Sequence, residues 1–406
     1  MPMSPQEHKI RIAAVINDLL IGGAQSILLN LITQINPDEF TYSVAYIYDH
    51  AKDGRPDFTK AFTEAGVLPV NLGQGKKRHY FTAFWRLYRY VSAEKPDILH
   101  LMLPDAVILS IFAGRLAGVR SIVIHEMNTH SFYSKKLRFL FKVARNLADL
   151  TITYSETLED ELFGNHVALT APITKLSRRS YTIYNGVDLD KVDAAKRATS
   201  FADKRHELGV AENAVLIFSA ARLIPWKGFE YLVRAMPKVM AACPNAILLI
   251  AGEGEQEPLL RSLISEYGLE DRIRLLGPRQ DVFEILAVSD IYPQAYSFPP
   301  GFSTISISMA GMEAMAFGLP PVVSKYPELY DHIEDKENAM LVEPRNLDEI
   351  AGALITLVND KAMRERIGRG ARRFVEDYFS SSKIMLIYES VYRALVERYS
   401  RTVYGI

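Results

Sequence analysis

The sequence has one cysteine, Cys243, in 406 residues, and it has almost no net charge. A single thiol forms no disulfide within the chain and cannot build a cysteine-ligated zinc site. Lysine and arginine number 47 against 48 aspartate and glutamate residues, a net charge of -1. This balance argues against a nucleic-acid binder that depends on overall basicity. We therefore expect no nucleic-acid partner and a reducing, cytoplasmic compartment.

Long hydrophobic runs are also missing. Near the N-terminus, Asn17 and Asp18 end the apolar run at 12–16, which is too short for the core of a signal peptide. The most apolar stretch, 106–117, contains Arg115 and falls short of the ~20 residues that span a bilayer. We expect no signal peptide and no integral membrane segment.

Short apolar runs alternate with helical patterns along nearly the whole chain. The strand-like runs lie at 10–16, 42–48, 97–102, 121–125, 150–154 and 181–185, and again at 214–220, 246–252, 273–277, 290–294 and 320–324. This alternation is typical of βαβ units on parallel sheets. The polar segment 186–200 separates the two series, and we interpret it as a linker between two doubly wound, Rossmann-like domains. The expected boundaries are 1–188, 189–378 and a terminal helix at 379–406.

Gly22 and Gly23 follow the first strand and precede a helix. Paired glycines let a ligand approach the backbone closely, and a helix N-terminus favours an anion. The surrounding residues do not form GxGxxG, so the dinucleotide fingerprint is absent. A tight turn without a ligand explains the pair equally well.

Arg222 and Lys227 follow the strand at 214–220 and flank a turn that opens a helix. Arginine can hold phosphate oxygens in pairs and lysine supplies a point charge, so together they suit a diphosphate. The alternative is two solvated surface charges. The combination of a strand, an arginine, a proline turn, Lys-Gly and a helix favours the phosphate interpretation.

Three further sites also follow strands and carry weaker signals. Gly252 and Glu253 form a turn that either lines a ligand cleft or is purely structural. Glu313 lies near the start of a helix, where it either accepts hydrogen bonds from a ribose diol or is solvated and favoured by the helix dipole. His125, and with less weight His100, ends a strand where it can contact a sugar hydroxyl or a reacting centre, although a lone histidine is more often structural.

Together these motifs resemble glycosyltransferase family four of the GT-B fold. The matching pieces occur in that family's order over nearly the whole chain. They are GGAQ (22–25), His125, NGVD (185–188), ARLIPWKG (221–228), AGEGEQEPLL (251–260), LLGPRQDVFEIL (275–286) and EAMAFGLPPVVS (313–324). The resemblance implies an α/β protein with two Rossmann-like domains facing across a cleft and C-terminal helices that cross back. It also implies a retaining transferase that moves a sugar from a nucleotide donor to an acceptor hydroxyl.

The resemblance assigns the central roles to three residues. Arg222 and Lys227 would hold the donor diphosphate and stabilise the charge of the leaving group, and Glu313 would bind the ribose. No metal is expected, because these cations supply the positive charge at the departing phosphate. No cofactor is expected either, since the nucleotide sugar is a substrate.

The resemblance gives the remaining candidates supporting roles. Gly22 and Gly23 would lie beside the donor phosphate and the acceptor, and His125 would contact the donor sugar near its reacting carbon. The segment at Pro278 and Arg279 would flank the base. The other expected donor-binding residues are Gly252, Glu253 and Ser306.

One position departs from the family's pattern. A second acid usually precedes the ribose-binding glutamate by eight residues, but Ile305 stands there and residues 291–312 contain no aspartate or glutamate. We expect Ser303, Thr304, Ser306 or backbone amides to contact the sugar hydroxyls instead. The departure leaves the donor sugar open, and it leaves room for weak or absent activity.

The two halves of the chain differ in charge: residues 1–185 are net basic and residues 186–406 are net acidic. Basic and aromatic residues interleave at 76–90 and 134–148, a pattern of helices that lie on anionic lipid. A packed face opposite a solvated face explains the same pattern. The resemblance assigns the acceptor, a glycan, lipid-linked sugar or small glycoside, to the N-terminal domain. We expect this basic half to carry any peripheral contact with the inner face of a membrane.

Three functions remain open at this point. The favoured one is a retaining glycosyltransferase that uses a nucleotide sugar, with UDP preferred to GDP. A catalytically silent GT-B subunit that scaffolds a partner is the second, and the missing acid motivates it. The intact Arg222, Lys227 and Glu313 argue against that alternative, because a silent protein need not keep a diphosphate site. A nucleotide-sugar epimerase is the third.

Overall fold

The computed structural model describes residues 9–49, 57–74, 80–127, 133–299, 307–326 and 332–404. Contacts divide the chain into two units, one made of Met1–Gly186 with Ser381–Ile406 and the other of Val187–Ser380. Each unit has its own parallel β-structure and its own buried hydrophobic core. The expectation of an α/β protein with two doubly wound sheets is confirmed.

The first unit contains a seven-stranded parallel sheet. Its strands are β1 (Ile10–Ile16), β2 (Phe40–Tyr48), β3 (Val70–Gln74), β4 (Ile98–Met102), β5 (Ser121–Glu126), β6 (Leu150–Thr153) and β7 (Ser180–Thr182). They lie in the order β3-β2-β1-β4-β5-β6-β7. Every residue of β4, β5 and β6 is buried, because helices cover a parallel sheet on both faces.

In the described part of this unit, six helices connect these strands. They are α1 (Gly23–Gln34), α2 (Thr59–Glu64), α3 (Tyr80–Glu94), α4 (Pro104–Leu116), α5 (Lys135–Leu147) and α6 (Glu156–Phe163). Ser134 and Ser155 begin α5 and α6, and each side chain accepts a hydrogen bond from the N–H three residues later. Such caps satisfy backbone donors that a helix leaves unpaired at its start. α6 ends at Gly164, whose φ of 76° suits glycine.

The second unit repeats the doubly wound plan. Its strands are β8 (Val215–Ala220), β9 (Ala246–Ala251), β10 (Ile273–Gly277), β11 (Tyr292–Gln294), β12 (Pro321–Ser324) and β13 (Met340–Val342). They form the parallel ladders β10-β9-β8 and β11-β12-β13. A parallel bridge between Ile217 and Ile291 joins β8 to the second ladder. The resulting order, β10-β9-β8-β11-β12-β13, is that of a dinucleotide-binding Rossmann sheet.

Among the residues of this unit that the structure describes, eight helices flank the sheet. They are α7 (Leu189–Ala198), α8 (Phe201–Glu207), α9 (Phe229–Ala242), α10 (Glu257–Glu266), α11 (Val282–Ala287), α12 (Met309–Ala316), α13 (Leu347–Asn359) and α14 (Lys361–Tyr378). The boundary between the two units lies at the start of 186–200, between Gly186 and Val187, but most of that segment forms α7 and is not an irregular linker. The Asp188 carboxylate caps α7 by accepting a hydrogen bond from the N–H of Lys191 (3.0 Å). The polar composition therefore belongs to an amphipathic helix of the second unit.

The last helix, α15 (Ser381–Tyr404), belongs to the first unit. Its Arg393 pairs with Glu39 (Nε to Oε1, 2.5 Å), and its Glu389 accepts a hydrogen bond from the N–H of Asn36 (2.9 Å). The chain therefore leaves the first unit once and returns to it. Within the described ranges, no helix combines the length and apolar character that crossing a membrane requires.

Candidate functional site

The turn after β8 carries Arg222 and Lys227, as the sequence predicts. It is held against the turn after β9, because the Leu223 N–H donates to the carbonyl of Glu253 (2.8 Å) and the Leu223 carbonyl accepts from the N–H of Gln256 (2.9 Å). Both turns lie at the carboxyl ends of parallel strands, where open α/β sheets bind their ligands. The backbone at this edge is thus fixed independently of any ligand.

A single 3-10 turn, Pro225–Lys227, leads from Arg222 into α9. Gly228 closes it with a φ of 71°, and a Cβ at this position would collide with the carbonyl of Ala295. Only glycine therefore fits between the turn and the loop after β11. This close approach places Lys227 against that loop.

Neither cation has a carboxylate partner among the residues that the structure describes. Arg222 is exposed, and no hydrogen bond or ion pair joins its guanidinium to another described residue. The Lys227 ammonium donates to the hydroxyl of Tyr296 (2.9 Å) and lies 4.4 Å from the centre of its ring. Two cations whose charge no carboxylate cancels, at the entrance to a helix, can bind a diphosphate.

The loop after β11 is fastened to this turn. The Ser297 N–H donates to the carbonyl of Trp226 (3.0 Å), and the Ser297 hydroxyl donates to that of Pro225 (3.0 Å). The Arg345 guanidinium donates to the carbonyls of Ser297 (3.3 Å) and Phe298 (3.1 Å). The sequence motifs did not predict a role for this loop, although Tyr296, an aromatic residue just after a strand end, offered a signal.

The turn at Gly252 and Glu253 has a structural explanation. Gly252 and Gly254 have φ values of 133° and 156°, and a Cβ on either would collide with a carbonyl of the turn after β8. Glu253 is exposed, and its carbonyl binds that turn. The two glycines therefore allow the two turns to approach each other. Ligand contact by Gly252 or Glu253 stays a prediction.

Glu313 lies in the second turn of α12, with its carboxylate partly buried. Burial raises its pKa to about 7, and the nearby ammonium of Lys191 opposes the rise. The alternative of a solvated first-turn glutamate does not fit this position. A half-buried carboxylate whose oxygens have no hydrogen bond to another described residue is suited to receive the hydroxyls of a ligand.

Gln294, at the end of β11, is a polar residue that the sequence analysis missed. It is 3% exposed, and its Oε1 accepts a hydrogen bond from the N–H of Ser308 (3.1 Å) just before α12. Its Nε2 is buried and has no partner among the described residues. A Cβ at Gly311 would collide with this amide, so the glycine makes room for it. Gln294 thereby fixes the start of the helix that carries Glu313.

Arg279 lies just beyond β10 and is engaged within the protein. Its guanidinium binds Asp281 (Nε to Oδ1, 2.7 Å) and Glu207 (Nη2 to Oε1, 3.2 Å), and Lys204 binds the same two carboxylates. The hydrogen bonds from Arg279 and Lys204 hold the pKa of Asp281 far below its usual range. These carboxylates thus balance the positive charge of Arg279, while Pro278 beside it is exposed. A role for this segment at the base stays a prediction.

Gly22 and Gly23 begin α1, as predicted, but without strain. Gly22 has an extended backbone (φ −171°), and a Cβ there would press on Gln25, whose amide binds Asp18. A Cβ at Gly23 would meet no other atom within 4 Å. Neither residue has a conformation that requires glycine, so tight-turn geometry does not explain the pair. The open space beside Gly23 is compatible with a ligand.

His125 is buried in the first unit, which agrees with the structural alternative, while its contact with the donor sugar stays a prediction. Its side chain is 1% exposed, it stacks on His100 (5.5 Å between ring centres), and it lies beside Tyr388 of α15. Burial lowers its pKa to about 4. Its position in β5 directs the ring toward α15, which covers it. Neither ring nitrogen has a partner among the described residues.

Two predictions lie outside the described residues. Ile305, which replaces the expected acid, falls in the segment 300–306, as do Ser303, Thr304 and Ser306. In the ranges that the structure does describe, no group of three or more His, Cys, Asp or Glu residues is arranged to hold a metal ion.

Comparison with known families identifies the family of the chain. The model of Glycosyltransferase Family 4 matches residues 21–191, and that of Glycosyl transferases group 1 matches residues 200–374. The chain belongs to glycosyltransferase family four. This transferase therefore has the GT-B fold, and the two matched regions correspond to the two sheets described above.

This family-four transferase is similar to enzymes whose names contain different nucleotides, UDP in one case and GDP in another. It is 25% identical to the UDP-Gal:alpha-D-GlcNAc-diphosphoundecaprenol alpha-1,3-galactosyltransferase of Escherichia coli, across 89% of this chain and 91% of that enzyme. It is 30% identical to a GDP-mannose-dependent monoacylated alpha-(1-6)-phosphatidylinositol monomannoside mannosyltransferase of Corynebacterium glutamicum, across 48% of this chain and 51% of that enzyme.

Among solved structures, Anabaena Alr3699/HepE in complex with UDP-glucose is similar with a TM-score of 0.74. The sequences are 21% identical, and the alignment covers 94% of this chain and 99% of that one. At this identity, the likeness establishes the shared fold.

Proposed function

We propose that this protein is a retaining glycosyltransferase that takes its sugar from a UDP-sugar and passes it to a hydroxyl of a glycan, a glycolipid or a small glycoside. One observation carries the proposal: Arg222 and Lys227 flank the turn after β8, and no described carboxylate neutralises them. Breaking a glycosyl-phosphate bond places negative charge on the departing diphosphate. Cations already in position lower the barrier, because they stabilise charge that develops in the transition state.

The proposed donor site uses Glu313 for the ribose. A carboxylate accepts hydrogen bonds from both hydroxyls of a diol, and the ionised form does so more strongly than the acid. Burial raises the pKa of Glu313 to about 7, so ionisation is incomplete near neutrality. We expect UDP affinity to increase as the pH rises from 6 to 8.

The preference for UDP over GDP rests on the names of one relative and one structural neighbour. The Escherichia coli relative and the Anabaena structure name UDP-Gal and UDP-glucose, whereas the Corynebacterium relative, which aligns over a shorter part of the chain, names GDP-mannose. Thermal unfolding with UDP, GDP or ADP tests the preference. A ligand at 100 times its Kd stabilises the folded state by about 2.7 kcal/mol. A larger rise in Tm with GDP than with UDP would overturn it.

The reaction is tested by incubating the protein with UDP-sugars. Release of UDP, with or without an added acceptor, supports transfer, and NMR of the product reports whether the anomeric configuration is retained. Inversion at C2 of the sugar would instead identify an epimerase. If every UDP-sugar stays intact while UDP still binds, the silent-subunit alternative is favoured, and the replacement of the acid by Ile305 becomes its explanation.

The acceptor proposal rests on the outer side of three helices in the first unit, where α4 packs between α3 and α5. α5 exposes Lys135, Lys136 and Lys142 together with Phe139, which is 65% exposed, while Phe141 on its opposite face is buried. The other large apolar side chains exposed on these helices are Tyr80, Phe81, Trp85, Phe112 and Leu116. We call all these exposed residues the basic-apolar surface.

We propose that the basic-apolar surface contacts an anionic membrane on its cytoplasmic side and that a lipid-linked acceptor is presented there. Each lysine near such a surface contributes about 1 kcal/mol, and apolar side chains add to binding by entering the headgroup layer. The name of the Escherichia coli relative contains a diphosphoundecaprenol acceptor, which agrees with a lipid-linked substrate.

Co-sedimentation with vesicles tests this contact. The full chain is expected to bind vesicles containing an anionic lipid at low salt, and Lys135→Glu/Lys136→Glu/Lys142→Glu is expected to abolish binding. Charge reversal at three exposed lysines of the second unit, Lys238, Lys325 and Lys361, is the matched control. Equal loss in both triple variants would show that net charge, and not this surface, governs binding.

A further inference from the structure

Tyr296 lies against Lys227 and is almost fully buried, with 3% exposure. Its hydroxyl accepts a hydrogen bond from the Lys227 ammonium (2.9 Å), and its ring centre is 4.4 Å from the same nitrogen. A rigid ring that holds a cation by both its hydroxyl and its π-electrons restricts where the charge lies. We infer that Tyr296 is a positioning residue that orients Lys227 toward the donor diphosphate. This inference rests on the proposed role of Lys227.

A tyrosine holds a lysine without cancelling its charge. An aspartate or glutamate at the same distance would neutralise the ammonium and weaken its attraction for a phosphate. The Tyr296 hydroxyl and ring are neutral, and no described carboxylate pairs with Lys227. An ammonium has three donors, so one hydrogen bond to Tyr296 leaves two for phosphate oxygens. The Lys227 ammonium therefore keeps its full charge to stabilise the departing diphosphate.

Tyr296 is itself held in place by the loop that carries it. Its ring meets Phe298 edge to face, with 5.4 Å between the ring centres, and its carbonyl accepts a hydrogen bond from the Tyr326 hydroxyl (3.4 Å). The adjacent Ser297 binds the carbonyls of the turn just before Lys227. Lysine and tyrosine therefore stand on one backbone frame, so the cation is ordered before the ligand arrives and little reorganisation is needed during the reaction.

Two substitutions separate the hydroxyl from the ring. Tyr296→Phe removes the hydrogen bond and keeps the ring, and it should lower kcat for UDP release about threefold to tenfold. Tyr296→Leu removes both contacts and should lower kcat about 30-fold, with KM for the UDP-sugar changed by less than about threefold. Tyr267→Phe is the matched control, because it removes another hydroxyl that accepts from a cation, that of Arg234 (3.5 Å). Its kcat should equal that of the wild type.

A double-mutant cycle distinguishes positioning from a structural role. In a Lys227→Ala background, Tyr296→Leu should cost less than about twofold in kcat, because the group that it positions is already gone. If the two losses multiply, or if Tyr296→Leu lowers Tm while leaving kcat unchanged, Tyr296 serves packing alone. UDP affinity, measured by calorimetry, provides the same cycle if turnover is too slow to follow.

The failure of this inference is separable from that of the proposed function. If Lys227→Ala keeps the kcat and the UDP affinity of the wild type, the diphosphate role of Lys227 is lost, and the role of Tyr296 falls with it. If Lys227→Ala is impaired but the Tyr296 variants are not, the proposed function stands and the positioning role is wrong.

Discussion

At the residue scale, the second unit neutralises some cations and leaves others available. Arg279 and Arg222 both follow strands, yet Arg279 binds Asp281 and Glu207, whereas Arg222 contacts no described carboxylate. Lys227 is held by a neutral tyrosine. The availability of a charge therefore depends on its neighbours and not on its residue type, and the available charges are the ones proposed to act on the diphosphate.

Removing the Lys227 ammonium tests this distinction. We expect Lys227→Ala to lower kcat about 100-fold, because a preorganised charge on the leaving group is lost. Lys238→Ala is the matched control, since Lys238 is an exposed lysine of the same unit that pairs with Asp348 (2.9 Å). Steady-state kinetics of UDP release compares the two, and equal kcat values would remove Lys227 from the site.

Glu313 should make the stability of the second unit depend on pH. Its pKa, raised to about 7 by burial, means that folding favours the protonated form, so its stabilising contribution is full below pH 4.5 and is lost as the pH rises through 7. Glu313→Gln cannot ionise, and it should be more stable than the wild type at pH 8 by on the order of 2 kcal/mol. The two proteins should be nearly equal at pH 5.

Urea unfolding at pH 5 and pH 8 measures this difference. Glu266→Gln, on the exposed side of α10, is the control and should change neither value. The same Glu313→Gln variant should bind UDP more weakly at pH 8, since an amide replaces a carboxylate acceptor. Greater stability with unchanged UDP affinity would leave the burial argument intact and exclude Glu313 from the ribose site.

At the scale of elements, α15 completes the first unit by covering polar groups on its sheet. The Tyr392 hydroxyl contacts Nδ1 of His100 (2.8 Å) and the hydroxyl of Tyr42 (2.9 Å), while Tyr388 lies beside His125. Burial lowers the pKa of both histidines. Docking of the last helix therefore depends on uncharged imidazoles, which links a C-terminal element to two residues far earlier in the chain.

This packing predicts acid sensitivity of the first unit. Because folding depresses the pKa of His125 from 6.5 to about 4, its contribution is full above pH 6.5 and is lost as the pH falls toward 4. We expect the free energy of unfolding to drop by about 2 kcal/mol from this residue between pH 6.5 and 5. His125→Phe should reduce the drop, and His206→Phe, at an exposed site, should not.

The kcat of His125→Phe provides a second test. Loss of kcat with unchanged stability would show that the ring reaches the donor sugar, as the family resemblance implies. A pH dependence of unfolding identical to that of the wild type would contradict the buried-histidine account.

At the scale of the whole molecule, each unit carries one of the two tryptophans. Trp85 lies on α3 in the basic-apolar surface, and Trp226 directly precedes Lys227. Single-tryptophan variants therefore report on the two proposed functions separately. The charge difference applies to residues 1–185 and 186–406, whereas the first unit also contains Ser381–Ile406.

We expect UDP to change the fluorescence of Trp226 in Trp85→Phe and to leave Trp85 unchanged in Trp226→Phe. Anionic vesicles should do the reverse, and neutral vesicles should affect neither residue. If Trp226 responded to vesicles in the absence of UDP, or Trp85 responded to UDP in the absence of vesicles, the assignment of donor and membrane contacts to different units would be contradicted.

Much of the fold follows from the sequence, because buried parallel strands are continuous apolar runs that can be recognised locally. The polar pattern at 186–200 predicts a linker, whereas the structure has α7 there, because the polar face of this helix conceals its helical period. Arg222 and Lys227 were predictable from their place after a strand. Tyr296 also follows a strand, but its contact with Lys227 was not predictable, because that contact joins residues 69 positions apart.

The sequence by itself determined the two doubly wound units, the order of the motifs and the presence of two cations after β8. Tertiary structure decided which charges stay available, how Glu313 titrates and that α15 buries His125. The physical reason is the distance along the chain between the residues that interact. Strand and helix patterns arise from neighbours in the chain, whereas desolvation and charge pairing depend on side chains that folding brings from distant segments.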